Sequence, residues 1–253
     1  MMRIKVLKEI DPSTLRDPIA IVGMPGIARV GKLAVISLIV GLGAEKIMEV
    51  FPYDFPAWVI VNKNGVSKLL RSAFFIWRGE DRDIFFLTGD AQPISPHGLY
   101  QFTKFVAETF HNWGCKLIIS LAAYSMFRIP KTPRVHVAAT SDELLEYFSE
   151  HRNAVKYQGG TITGANGTIP VFCKTLFGID GVALLAETHE NLRLDPNASR
   201  ALVELLNDKL ELNLDLVELE RKIRGLKDLS DLLGIDEEES PEERGKPGWP
   251  YVI

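Results

Sequence analysis

Gly26, Gly31 and Lys32 stand in the run Gly26-Ile27-Ala28-Arg29-Val30-Gly31-Lys32-Leu33, which has the Gly-x-x-x-x-Gly-Lys spacing of a phosphate-binding loop. An apolar run at 19–22 and another at 30–40 read as the strand and helix that such a loop requires. The chemistry also needs Ser or Thr after the lysine to hold magnesium, and Leu33 occupies that position. Two readings stay open: a helix start whose backbone amides hold an anion without metal, or a tight turn leading into a close-packed helix.

Further polar loops follow or adjoin apolar runs. These are Thr88-Gly89-Asp90-Ala91-Gln92-Pro93, Gly164-Ala165-Asn166-Gly167 and Glu187-Thr188. Open α/β sheets place ligands at the carboxyl ends of their strands. Gly23, Met24, Gly26, Asp90, Gln92, Asn166 and Glu187 are therefore the candidate ligand-binding set, suited to a nucleoside, a nucleotide or phosphate. Turn formation alone also accounts for Gly, Asn and Asp at these places. The histidines, His97, His111, His136, His151 and His189, fall in separate elements without metal-ligand spacing. No Gly-x-Ser-x-Gly elbow or His-Glu-x-x-His pair occurs, so the expectation is no metal, no cofactor and no catalytic set.

The elements that position these loops alternate in type. Residues 58–61 and 74–78 read as strands joined through Asn62-Lys63-Asn64-Gly65, and 84–87 follows after a turn at 79–82. Between 99 and 113, Phe102, Phe105, Val106, Thr109 and Phe110 recur at helical spacing, and Gly114 ends the helix. Residues 116–121, 134–139 and 182–186 read as strands, Ser141 caps a helix to about 150, and Asp195-Pro196 opens a leucine-rich one. This order predicts a three-layer α/β sandwich with a mixed sheet. Asp215 and Glu218 have capping-box spacing with Leu216, Leu219, Ile223, Leu226 and Leu229 as an apolar stripe, which reads as a face docked on the domain or on a sister subunit, or as a coiled-coil seam of under three heptads.

The chain has 253 residues, 46% hydrophobic and 25% charged, enough for a large core, and residues 1–235 are expected to form one domain. A net charge of −4 without a basic run argues against nucleic acid as a partner. The longest uncharged apolar stretch, 33–44, is too short for a bilayer span, and the amino terminus lacks the apolar block of a signal peptide. Cys115 and Cys173 lie in apolar surroundings and read as buried free thiols of a reducing compartment, so a cytoplasmic location is expected.

Composition changes at Asp236, where 236–253 becomes an acidic, proline-containing tail expected to be flexible. Its tip, Trp249, Pro250, Tyr251, Val252 and Ile253, is the candidate partner-binding peptide, because aromatic anchors suit docking. Folding back onto an apolar groove of its own domain is the other reading.

Three segments together resemble the proteasome assembly chaperone family in its archaeal branch: Ile-Ala-Ile-Val-Gly-Met-Pro-Gly from Ile19, Thr-Gly-Asp-Ala-Gln-Pro from Thr88 with the strand Leu-Ile-Ile-Ser-Leu-Ala-Ala-Tyr, and the run 162–199. The resemblance implies a phosphorylase-like α/β sandwich, homo-oligomerisation and chaperone or scaffold activity toward a protein partner, the proteasome or an assembly factor. Some members carry an ATP-grasp-like label, for which paired metal carboxylates would be needed. Some also dock on the proteasome through a carboxyl-terminal tripeptide with penultimate Tyr, and here Tyr251 stands one position earlier.

Overall fold

The structure is a computed structural model and describes residues 2–62 and 64–225. The tail from Asp236, its tip at 249–253 and the stripe positions Leu226 and Leu229 lie outside the described residues. The chain forms β1 (Met2–Val6), β2 (Ile19–Gly23), α1 (Val30–Leu42), β3 (Glu45–Pro52), β4 (Val59–Val61), β5 (Ser67–Leu69), β6 (Ser72–Arg78), β7 (Asp83–Gly89) and α2 (Pro96–Asn112). It continues with β8 (Leu117–Ser125), β9 (Val135–Ala139), α3 (Asp142–Ser149), β10 (Ala154–Lys156), α4 (Ala165–Phe177), β11 (Asp180–Thr188), α5 (Pro196–Lys209) and α6 (Leu216–Gly225).

Among the described residues, nine strands make one mixed sheet in the order β1-β3-β6-β7-β2-β8-β11-β9-β10, and β4 pairs with β5 apart from it. The four central strands β7, β2, β8 and β11 are parallel, so their carboxyl ends share one edge of the sheet. Side-chain alternation along β2 sorts the core into two halves. Ile19 and Ile21 pack with Val35, Leu38, Leu202 and Phe148 on the face covered by α1, α3 and α5. Ala20 and Val22 pack with Phe74, Phe85, Phe102 and Ile169 on the face covered by α2 and α4. All five residues of β2 are buried, as a strand sandwiched between two helical layers requires.

Backbone packs closely on backbone where β2 turns into α1. A Cβ on Gly23 would stand 2.2 Å from the Gly31 carbonyl oxygen, and one on Gly31 would stand 2.0 Å from the Leu121 oxygen. The two glycines let the first turn of α1 rest on backbone, and the turn before it takes positive φ at Ala28 (47°) and Arg29 (51°).

Several elements differ from the sequence expectation. The Asn62 turn is present, with the Asn62 side chain accepting hydrogen bonds from the Asn64 and Val66 amides, but it joins β4 to β5 and not to residues 74–78. Ser67 and Lys68 lack the apolar content that marks a strand, so the nearer partner was hidden. Phe74 pairs instead with Leu87 of β7 and Met48 of β3. β1 and β3 were not anticipated, because Glu45, Lys46 and Glu49 break the apolar pattern of β3.

Gly164–Gly167, read as a loop, is the start of α4, which carries Gly167 and Pro170 in its interior. Pro170 has no amide hydrogen for the Asn166 carbonyl one turn back, and the buried Ser120 hydroxyl donates to that oxygen instead at 2.5 Å. A strand residue thus satisfies what the proline leaves open.

Alanine at position 31 sets two effects against each other. Helix propensity favours it by about 1 kcal/mol, while the clash with the β8 carbonyl costs about 3 kcal/mol or more. Gly31→Ala is therefore expected to lower the urea midpoint of unfolding strongly.

Candidate functional site

Four of the candidate ligand residues interlock at the carboxyl edge. The Met24 amide donates to Asn166 Oδ1 at 2.8 Å and Asn166 Nδ2 donates to the Met24 carbonyl at 3.0 Å, so the side-chain amide pairs with the backbone as a neighbouring strand would. Gln92 Nε2 donates to the Pro25 carbonyl at 2.5 Å, and Gln92 Oε1 accepts from the Ala165 amide at 2.7 Å. Thr88 Oγ1 donates to the Gly23 carbonyl at 2.8 Å. Gly164 has φ of +79°, and a Cβ there would lie 2.7 Å from Gln92 Oε1. Asn166 is 5% exposed. The loops after β2 and β7 and the start of α4 are thereby clasped by hydrogen bonds that use the polar groups a ligand would need. Gly26 lies in the same turn and accepts from the Arg29 amide.

Asp90 turns away from this clasp. Its Oδ2 accepts from the Arg71 amide at 3.1 Å and its Oδ1 lies 3.8 Å from Lys32 Nζ. Lys32 is 2% exposed. Burial pushes its ammonium down from the ordinary 10.5 to about 8; Asp90 opposes that shift, and Arg29 and Lys68 add to it. Glu49 lies nearby, 2.6 Å from Arg71 and 3.3 Å from Lys46.

Glu187 belongs to a third group. In the registers Val22↔Ser120 and Glu187↔Tyr124 it lies four residues farther along β8 than the clasp, about 13 Å at strand rise. It accepts from the Arg134 amide and guanidinium at 2.9 to 3.1 Å and lies 3.1 Å from His136 Nε2. Burial pushes its carboxyl up, but the Arg134 and His136 hydrogen bonds outweigh burial and hold it below the usual carboxylate range. His136 stacks on Tyr124 with centroids 3.9 Å apart, and Tyr157 meets both edge-on. The sequence-predicted residues therefore form a clasp, a lysine–aspartate cluster and an arginine–glutamate–histidine cluster, not one pocket. Sequence alone did not link His136 or Tyr124 to Glu187; nothing in spacing along one chain reports the register of three strands.

Cys115 and Cys173 are buried and free. Burial raises both thiols, Cys173 to about 12, so neither is poised as a nucleophile.

The exposed surface carries large apolar side chains. Tyr53 (63% exposed), Trp58 (63%) and Ile94 (70%) stand around the β4–β5 hairpin, where the Ile94 amide donates to the Asp54 carbonyl. Phe127, after β8, is fully exposed. A cavity of 430 Å³ between α1, α5 and α6 is lined mainly by Leu33, Leu194, Val203, Leu216, Leu219 and Ile223, a lining suited to packing.

Two outcomes follow for stability. Asn166→Ala strands the Met24 amide and carbonyl inside the clasp and should cost about 2 to 4 kcal/mol in chemical unfolding. For Lys32, the folded chain releases its proton near pH 8 and the unfolded chain near 10.5, so its cost is complete below pH 8 and is relieved as pH rises across that window. Lys32→Met should therefore raise stability near pH 7 by up to about 3 kcal/mol, and the gain should shrink toward pH 10.5.

Known proteins place this architecture. A family model described as the PAC2 family matches residues 20–228. The chain is 30% identical over 243 residues to the uncharacterised protein MJ1210 of Methanocaldococcus jannaschii, covering 94% of this chain and 92% of that one. Pyrococcus furiosus PbaB, described as an archaeal proteasome activator, superposes with a TM-score of 0.79 at 31% identity, covering 88% of this chain and 94% of PbaB. Pyrococcus furiosus PbaA, described as an archaeal homologue of proteasome-assembly chaperone, shares the fold at a TM-score of 0.68 and 24% identity, with 87% of each chain covered. The mixed sheet with helices on both faces is the fold of these proteins, and the chain belongs to the PAC2 family.

Proposed function

We propose that this protein is a non-enzymatic, homo-oligomeric chaperone or scaffold of the proteasome system. It engages its partner in part through Trp249, Pro250, Tyr251, Val252 and Ile253. The observation that carries this reading is the clasp: Asn166, Gln92 and the Met24 backbone, where a substrate would be expected, already bond to one another. Large apolar side chains, Trp58, Ile94 and Phe127 among them, stand on the outside, where such surfaces serve protein contacts. The descriptions of PbaB and PbaA supply the partner class. Two buried free thiols suit a reducing cytoplasm.

The test is capture on immobilised archaeal proteasome core particles, comparing the full chain with one lacking residues 236–253. Several copies of a weak anchor on one oligomer bind through effective concentration, so the full chain should bind at least about tenfold tighter than the truncated one. Light scattering should report the same oligomeric mass for both. Equal capture of the two chains would end the tail's role.

A further inference from the structure

Four cations converge on one small cavity beneath α1. The cavity, of about 100 Å³, has an apolar wall from Ile36, Ile39, Val40 and Phe75, and its charged groups are Lys32 of α1, Lys46 of β3, Lys68 of β5, Arg71 before β6 and Asp90 after β7. Its volume is well under the roughly 300 Å³ at which pockets for drug-sized ligands begin, so the occupant it suits is a compact group. Lys32 forms the deep wall, 2% exposed, and Lys68 stands half-buried at the rim.

The charges do not balance. Glu49 is bonded to Arg71 and Lys46. Asp90 accepts from the Arg71 amide, and at 3.8 Å it is beyond hydrogen-bond reach of Lys32. Among the described residues the Lys32 ammonium makes no hydrogen bond and Lys68 makes no ion pair. Four cations against two carboxylates leave two positive charges facing the cavity. A buried ammonium without an acceptor is costly, and a ligand that brings both charge and acceptor oxygens removes that cost.

We propose that this cavity binds a small oxyanion of the phosphate class, held by Lys32 from within and by Lys68 and Arg71 at the rim. The site is independent of the chaperone reading: it lies apart from the clasp and from the carboxyl-terminal tail. Leu33, which removes the magnesium ligand of a phosphate loop, is no obstacle, since lysine and arginine alone hold the anion. The depressed proton affinity of Lys32 is consistent with this geometry: burial lowers it first, Arg29 and Lys68 lower it further, and Asp90 at 3.8 Å offsets the shift only in part.

Calorimetric titration of the full chain with inorganic phosphate and, separately, with glycerol phosphate tests the site, with sodium chloride at matched ionic strength as the reference. Saturable binding in the range of about millimolar or tighter is expected, with a rise in thermal midpoint beyond that given by chloride. Binding of both probes marks a mouth that admits a phosphomonoester; binding of inorganic phosphate alone marks a site for the free anion. Lys32→Met and, as a rim variant that leaves the core untouched, Lys68→Ala should each weaken the affinity by about tenfold or more. No saturable binding by the unaltered chain, or binding unchanged in both variants, would overturn the proposal.

Discussion

Contact between bare backbones at the start of α1 is the constraint on which the rest of the carboxyl edge depends. Gly23 and Gly31 bring β2, α1 and the Leu121 carbonyl of β8 closer together than any side chain allows. That approach fixes where the residues between them run. The turn at Met24 and Pro25 is delivered to the start of α4, and Lys32, one residue past Gly31, is carried into the interior beside Asp90. A phosphate-loop spacing thus survives as a packing device whose lysine faces a basic cavity and not a nucleotide cradle.

Asn166 shows how a fold can brace a loop without a disulfide or a metal. Its side chain behaves as one extra peptide unit, giving and receiving a hydrogen bond with Met24, while its own carbonyl is held by Ser120 because Pro170 has no proton to offer. Gly181 on β11 completes the fit, since a Cβ there would lie 2.6 Å from Pro170 Cβ. The missing proton of Pro170 is answered by Ser120 on β8, and its ring packs against Gly181 on β11. The result is an edge braced by hydrogen bonds between α4, β8 and the loop after β2.

The parts legible from sequence were those whose signal is local. β2, β7, α2, β8 and β11 announce themselves by apolar runs, by the Phe102, Val106 and Phe110 spacing and by Gly114 after the helix. α4 was not legible because Gly167 and Pro170 read as helix breakers, and the Ser120 hydroxyl that satisfies the carbonyl opposite Pro170 lies 46 residues away in sequence. β3 was hidden because its charged residues find partners across strands, Glu49 with Arg71 and Lys5. The candidate polar residues were recognised by type, yet their grouping depends on strand register. That is why Met24, Gln92 and Asn166 meet while Glu187 joins Arg134 and His136.

Sheet order also has a kinetic side. β2 leaves the ribosome early, but its neighbours in the finished sheet are β7 and β8, and β8 in turn needs β11. A strand buried along its whole length is therefore among those that wait longest for a partner. Loop closure over such distances precedes any reward from pairing, which slows folding and leaves apolar strands open to association meanwhile. Newly made chains should accordingly be most prone to aggregation in the interval before residues 180–188 emerge, a vulnerability set by strand order and not by the stability of the completed fold.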